Sequence, residues 1–143
     1  MKILHEAAVR SGLGQEKHWQ AQELHVILIG PRKMRHMNRD YLGHDYPTDV
    51  LAFDLSGFEV GAVPRTETQT RGEIYVCPQV AINACEDYNT CVAYELVLYV
   101  VHGMLHLVGE KDQTEMQKER MKKRERTVME HIVKRYDLNS VFS

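Results

Sequence analysis

The stretch from residue 102 to residue 112 contains side chains whose types and spacing predict metal chemistry. His102 and His106 stand four residues apart, and Asp112 follows three residues after Gly109. Two histidines at this spacing on a helix project from one face a turn apart, so their ring nitrogens can approach one ion. Glycine tolerates positive φ and can turn the chain back, bringing Asp112 beside the imidazoles. We therefore predict a metal site with His102, His106 and Asp112 as its ligands and its catalytic centre.

Three protein ligands predict a catalytic ion rather than a structural one. Structural zinc sites are usually closed by four protein ligands, whereas catalytic zinc keeps a position for water. Zinc lowers the pKa of that water towards about 7 and supplies hydroxide for attack on a carbonyl or phosphorus centre. We expect one ion per chain, zinc first, used for hydrolysis.

Asp112 also has a competing interpretation. Residues 112–115 read Asp-Gln-Thr-Glu, a capping-box pattern in which Asp112 would cap the last helix and Glu115 would reach back. One carboxylate oxygen can cap a helix while the other binds an ion, so the two roles are compatible. Other candidates for a third ligand are not fixed by spacing: His44, Asp45, Asp49 and Glu73.

The helix that must carry the histidines is expected to be buried. Residues 90–108 are helical by pattern, and residues 92–101 are almost wholly apolar. At the end of a buried helix an unpaired imidazole costs free energy, and one shared ion satisfies both rings. This setting favours metal ligation over two ordinary histidines.

The remaining pattern predicts few strands among several helices. Helices are expected at residues 3–13, 31–41, 79–88 and 90–108 and from beyond 112 to about 136, strands at 23–29, 49–55 and 72–76, and a loop at 56–71. Such interleaving with few strands predicts an α+β fold, a small mixed β-sheet covered by helices with the metal site on a buried central helix. Residues 1–143 are expected to form one domain.

Composition excludes several classes. The hydrophobic fraction is 43% and the charged fraction 27%, as in ordinary globular proteins, and no apolar run reaches bilayer length. The first residues lack a signal-peptide core, so the cytoplasm is the expected location. Cys77, Cys85 and Cys91 contain no C-x-x-C pair, which predicts reduced thiols. The net charge of -2 argues against a uniformly positive surface but leaves room for a local basic patch.

The residue after the first histidine bears on the kind of hydrolase. His-x-x-x-His-x-x-Gly-x-x-Asp matches metzincin metalloproteases in spacing, but those enzymes need a glutamate directly after the first histidine as general base. Here that position is Gly103, which can neither take a proton nor orient a water. A metzincin-like peptidase is therefore disfavoured, and it remains a second hypothesis.

Three blocks of sequence together resemble one family. Residues 102–112 follow the pattern H-G-x-L-H-L-x-G-x-x-H up to its last position, residues 47–53 read P-T-D-V-L-A-F, and residues 72–76 read G-E-I-Y-V. Asn38 and Tyr41 fit the stretch before them. In these blocks the chain resembles the YbeY family of bacterial single-strand-specific endoribonucleases, also called rRNA maturation factors.

The resemblance implies a metal-dependent endoribonuclease. It would cleave single-stranded RNA in ribosomal RNA maturation and ribosome quality control, with the small ribosomal subunit as partner and no DNA or membrane partner. Metal-bound water, or the ribose 2′-hydroxyl helped by the metal, would attack phosphorus, and the sequence does not choose between them. Glu73 and Asp49 are candidate general bases, although metal-bound hydroxide can suffice.

The chain departs from the family pattern at two positions. Asp112 replaces the family's third histidine, which makes the site harder and more negative, so another divalent metal is possible. Leu42 stands where the family usually has an arginine expected to contact phosphate. This absence keeps open a third hypothesis, a ribosome assembly factor whose metal is structural. If the phosphate contact persists, we expect Arg39 or Arg71 to supply it.

Other polar residues near the motifs have simpler alternatives. Thr48 and Asp49 fit ordinary turn chemistry, but the resemblance places them beside the metal, where they would shape the cleft. The cations Arg32, Lys33 and Arg35 lie on or near the preceding helix. The charge run at residues 118–126 is explained by intrahelical ion pairing and need not touch RNA.

Overall fold

The protein combines five helices with three strands in the part of the chain described by the computed structural model, residues 2–13, 22–55 and 70–141. The helices are α1 (Lys2–Ser11), α2 (Pro31–Leu42), α3 (Pro78–Tyr88), α4 (Val92–Leu107) and α5 (Glu115–Arg135), and the strands are β1 (Gln22–Leu28), β2 (Val50–Asp54) and β3 (Thr70–Val76). A short 3₁₀ helix follows at Leu138–Ser140. The fold is α+β, as predicted.

The three strands form one small mixed sheet. Their order is β1-β3-β2, with β1 parallel and β2 antiparallel to β3. Because side chains alternate along a strand, Val50 and Ile74 face the core around α4, whereas Leu51 and Tyr75 pack on the α2 side. The predicted loop over residues 56–71 is wrong at its end, because β3 already begins at Thr70 and its ladder with β1 extends there; residues 56–69 lie outside the described part.

Helix α4 packs closely on the sheet at Gly103. A Cβ at this position would lie 3.0 Å from Ile74 Cγ2 and 3.3 Å from Val50 Cγ2. The missing side chain therefore lets α4 approach β2 and β3, and it fixes where the neighbouring residue His102 emerges beside the sheet. A glutamate at position 103 would be directed into β-strand side chains.

The segment that leads into β2 is held by α2. Asn38, which is 1% exposed, donates a hydrogen bond from Nδ2 to the Tyr46 carbonyl at 2.8 Å. Arg35 makes two hydrogen bonds to Asp45, at 2.8 and 3.0 Å, and these lower the pKa of the Asp45 carboxyl. Gly43, with a φ of +74°, ends α2. The chain is thus anchored just before Thr48 and Asp49.

Helix α5 begins with a capping box that differs from the predicted one. The Thr114 hydroxyl accepts a hydrogen bond from the Gln117 N–H, and Gln117 Oε1 accepts one from the Thr114 N–H, both at 3.1 Å. The predicted box of Asp112 and Glu115 is therefore wrong. A reciprocal Thr-x-x-Gln pair already satisfies the first backbone donors of the helix, which leaves the Asp112 carboxylate without a capping role.

No single helix among the described residues is long and apolar enough to cross a membrane. Helices α3 and α4 taken together have the length and apolar composition of a span, but the pair is bent by 116° at the break between them. Cys77, Cys85 and Cys91 are all free, as predicted.

Candidate metal centre

The three ligand atoms predicted from the sequence meet in space. His102 Nε2 and His106 Nε2 are 3.0 Å apart, and Asp112 Oδ2 lies 3.4 Å from the first and 3.3 Å from the second. In a tetrahedral zinc site with bonds of about 2.0–2.1 Å, ligand atoms are separated by roughly 3.3 Å. The three atoms therefore have the spacing of one face of a coordination tetrahedron, and the group fits a metal ion.

Local backbone geometry produces this convergence. The rings of His102 and His106 lie one turn apart and meet edge to face, with centroids separated by 4.6 Å and planes inclined by 82°. After α4 the chain reverses at Gly109, whose φ is +100°. The Gly109 N–H donates to the His106 carbonyl at 3.0 Å, which closes the end of the helix. Positive φ at Gly109 was predicted, and it brings Asp112 back to the two rings.

Each imidazole uses its other ring nitrogen for a protein hydrogen bond. His106 Nδ1 donates to the Glu110 carbonyl at 2.9 Å, and His102 Nδ1 is hydrogen-bonded to the Glu125 carboxylate on α5. This pattern leaves both Nε2 atoms for an ion, and in metal proteins such partners fix the tautomer and the ring orientation. Burial acts to lower the pKa of His102, but Glu125, Asp49 and Asp112 outweigh it and the pKa is raised.

Glu125 was missed by the sequence analysis, although a signal was present. Glu125 lies within the charge run of residues 118–126, for which the sequence predicts intrahelical ion pairing. Yet Met121, Glu125 and Met129 stand four residues apart, so this carboxylate lies in a row with two buried methionines. An acidic residue in the apolar row of a helix indicates a buried partner, and here that partner is His102.

The charge run is also paired differently from the prediction. Among the described residues, the intrahelical ion pair made by the run joins Lys118 to Glu115, which precedes the run, at 3.5 Å. Arg120 Nε and Arg124 Nη1 instead reach the Glu110 carboxylate, at 3.2 and 2.9 Å. The prediction of intrahelical pairing is therefore wrong for these two arginines. Their partner is the carboxylate of Glu110, a nearly buried residue in the segment that precedes α5. The contacts tie the segment that carries Asp112 to α5.

The predicted cleft residues Thr48 and Asp49 lie where β2 begins. Asp49 Oδ1 accepts hydrogen bonds from Thr48 Oγ1 at 3.1 Å and from the Val50 N–H at 2.8 Å. Its charge contributes to the raised pKa of His102, so Asp49 lies near the ligand group without belonging to it.

Arg39 and Arg71, the two residues predicted to contact phosphate, make no described interaction with the ligand group. Arg39 is exposed on α2, with Nε 3.5 Å from Asp40 Oδ1. The backbone of Arg71 pairs with Glu23 in the sheet, and its side chain lies outside the described part of the structure. Their roles remain predictions.

The alternative third ligands are engaged elsewhere. His44 stacks on Tyr46, Asp45 is bound by Arg35, and Glu73 accepts a 2.6 Å hydrogen bond from Tyr75. Tyr75 packs with the cluster on the α2 side of the sheet, away from α4. Within the described residues, Asp112 is thus the carboxylate that completes the group.

The fold and the site define a class of protein. It is a small α+β protein with three convergent ligands on and just after its central helix, and the ligand side chains remain between 24% and 40% exposed. A family model for endoribonuclease YbeY matches residues 1–133. The chain belongs to the YbeY endoribonuclease family.

Individual relatives agree with this assignment. The YbeY endoribonuclease of Thermotoga neapolitana is 42% identical over 84 residues, which cover 59% of this chain and 49% of the relative. That of Chloroherpeton thalassium is 33% identical over 112 residues, covering 78% and 72%. The chain thus spans about half the length of the first relative and more of the second.

A solved structure shares the fold. The solution structure of a Thermotoga maritima protein superimposes with a TM-score of 0.58 at 26% sequence identity, covering 97% of this chain and 87% of the other. The arrangement of helices and strands described above is therefore found in an experimentally determined protein.

Proposed function

We propose that this chain is a metal-dependent, single-strand-specific endoribonuclease that acts in ribosomal RNA maturation and ribosome quality control. The observation that carries the proposal is the convergence of His102 Nε2, His106 Nε2 and Asp112 Oδ2 within 3.0–3.4 Å, in a chain that belongs to the YbeY family. Zinc is the proposed ion, one per chain, because zinc accepts this set of imidazole and carboxylate donors.

The side chains around the ion have separable roles in this proposal. A bound divalent ion supplies Lewis-acid activation of water and of the phosphoryl group. Glu125 and the Glu110 carbonyl hold the imidazole rings in place. Asp49 is the better candidate for general base, because its Oδ1 is occupied by Thr48 and Val50 while Oδ2 can accept a proton from a water or a ribose hydroxyl.

Glu73, the other candidate base, is poorly placed for this role. It lies next to Ile74 on β3, and alternation directs it to the opposite face of the sheet from Ile74, which contacts α4. Its bond to Tyr75 places it on the α2 side. We therefore assign no catalytic role to Glu73.

The surroundings of Gly103 support a nuclease over a peptidase. A metzincin-like peptidase needs a glutamate at this position, but a Cβ added at Gly103 would lie only 3.0 Å from Ile74 Cγ2, so the sheet leaves no room for that side chain. The exposure of the ligands also favours a catalytic ion over the structural ion of an assembly factor, since structural sites are usually closed.

The proposed substrate is single-stranded RNA, in particular ribosomal RNA, and the proposed partner is the small ribosomal subunit. The proposed location is the cytoplasm, with no DNA or membrane partner. Arg39 and Arg71 are proposed to contact phosphate in place of the family arginine that Leu42 replaces. Thr48 and Asp49 line the path to the metal. Residues 1–143 are proposed to act as one domain.

The test is a cleavage assay on metal-loaded protein with single-stranded RNA, duplex RNA and casein. We expect cleavage of the single strand alone, its loss with a chelator, and about one zinc ion per chain by elemental analysis. His106→Ala should lower zinc content and cleavage together, whereas His131→Ala, an exposed histidine on α5, should change neither. Casein cleavage would support the peptidase instead, and a chain that cleaves none of the three substrates would support the assembly factor.

A further inference from the structure

A cavity that is open to solvent lies between helices α1 and α5 and is lined by four cations. Arg10 from α1 and Arg120, Lys123 and Arg124 from α5 surround a volume of about 460 Å³. Helix α5 carries eight of the chain's 18 basic residues and only four acidic ones, although the net charge of the whole chain is -2. Positive charge is therefore concentrated on α5, and part of it is gathered around a concave surface.

Carboxylates only partly neutralise this cavity. Arg10 pairs with Glu6 at 3.0 Å, while Arg120 and Arg124 share the single carboxylate of Glu110. Lys123 is exposed and makes no ion pair within the described residues. The four cations of the cavity are thus matched by two carboxylates, so a surplus of positive charge remains. A concave surface focuses the electric field of that charge.

We propose that this cavity binds a backbone phosphate of the RNA substrate at a distance from the cleaved bond. The identity of the bound molecule as RNA rests on the proposed function, whereas the existence of the cationic cavity does not. Guanidinium groups bind phosphate through paired N–H donors, and a lysine adds a point charge, so this set matches a phosphodiester. A chain that is negative overall needs such a local patch to hold RNA.

Glu110 connects this cavity to the metal centre. Its carboxylate binds Arg120 and Arg124, which line the cavity, and its carbonyl accepts the hydrogen bond of His106 Nδ1. The two sites therefore lie on either side of one residue. A strand whose scissile phosphate lies at the metal can place another phosphate between α1 and α5.

The experiment measures binding of a fluorescein-labelled, 2′-O-methyl single-stranded RNA to the metal-loaded protein at several salt concentrations. Lys123→Gln and Arg10→Gln should each weaken binding several-fold and reduce the slope of log affinity against log salt by roughly 0.7, the value for one lost contact to a single strand. Lys122→Gln is the matched control. It removes the same charge from the adjacent exposed position, which does not line the cavity.

If both cavity variants lose no more affinity than Lys122→Gln, or if the parent protein binds no RNA, the proposal is overturned. It is also overturned if the variants lose affinity for polyglutamate but not for RNA, because the cavity would then take an acidic protein. Failure of the proposed function looks different. The parent protein would not cleave unmodified RNA, and the binding measurement would still decide the role of the cavity.

Discussion

Glu125 of α5 hydrogen-bonds the ring of His102 on α4 at Nδ1, the nitrogen that does not join the ligand group. The two residues are 23 positions apart in the chain. Helix α5 is therefore part of the candidate metal centre, although none of its described residues belongs to the ligand group.

This contact predicts that Glu125→Ala weakens zinc binding by about 10- to 100-fold, the usual effect of removing the partner of a ligating histidine. Glu125→Gln should lie between parent and alanine variant, because its amide oxygen still accepts the hydrogen bond but carries no charge. Competition with a chelator measures the affinities. Glu119→Gln, which neutralises an exposed acid on the same helix, should bind zinc like the parent, and equal affinities for all four proteins would contradict the prediction.

Two substitutions of Asp112 test whether its carboxylate is a metal ligand. Asp112→Asn should weaken zinc binding strongly, because it removes the negative charge, whereas Asp112→His should hold or raise the affinity by restoring a third imidazole. Since Thr114 caps α5, the metal-free stability of both variants should stay within about 0.5 kcal/mol of the parent, as for ordinary surface positions. Chelator competition and denaturant unfolding measure the two quantities. Unchanged zinc affinity in the asparagine variant would remove Asp112 from the ligand set.

Thr114→Ala should lower the metal-free stability while leaving zinc affinity nearly unchanged, the opposite of Asp112→Asn. Losing the N-cap should destabilise the metal-free protein by about 1 kcal/mol, because the Gln117 N–H loses its acceptor. Zinc affinity should change much less than in Asp112→Asn. The same two measurements apply, and a stability equal to that of the parent would show that this capping box is not formed in solution.

Gly103→Ala tests the close approach of α4 to the sheet. Overpacking typically costs about 1–3 kcal/mol, and the better helix propensity of alanine offsets roughly 1 kcal/mol of it, so we expect a modest net loss of stability. A double-mutant cycle with Ile74→Ala identifies the cause. The Gly103→Ala change should cost less in the Ile74→Ala background, where the methyl groups that crowd the Cβ are gone, and strictly additive costs would locate the strain elsewhere.

Asn38→Asp should destabilise the protein in a pH-dependent way. The Asn38 amide donates to the Tyr46 carbonyl in a buried position, and an ionised carboxylate cannot donate. Burial raises the pKa of the introduced carboxyl above its unfolded value. The added cost should therefore be absent below about pH 4 and grow as the pH rises through the unfolded pKa. Asn38→Ala should cost about 1–3 kcal/mol of stability at every pH. The free energies of unfolding are measured with denaturant from pH 3 to 7, and a difference between Asn38→Asp and the parent that is the same at every pH would contradict the argument.

The parts of the site that depend on local geometry could be predicted from the sequence. The helical spacing of His102 and His106 and the reversal at Gly109 involve neighbouring residues only, so pattern and backbone chemistry suffice. The same holds for the element order and for the α+β class, because each helix and strand has its own apolar period and its own end signals.

The parts that depend on competition or on distant contacts could not be predicted in the same way. Two overlapping capping boxes precede α5, and the one with Thr114 and Gln117 forms because its two side chains satisfy each other's backbone donors. The contacts of Glu125 with His102 and of Arg124 with Glu110 require α5 to be docked, which no local pattern contains.

The hydrogen bond of the His102 ring to Glu125 means that this ligand is held in its orientation only when α5 lies on α4. An ion that binds this assembled group and not the unfolded chain stabilises the fold by mass action, by about 2.7 kcal/mol at a free concentration one hundred times its dissociation constant. The melting temperature then depends on free metal in the solution, and the folded fraction of a weakened variant reports how much metal is available to it.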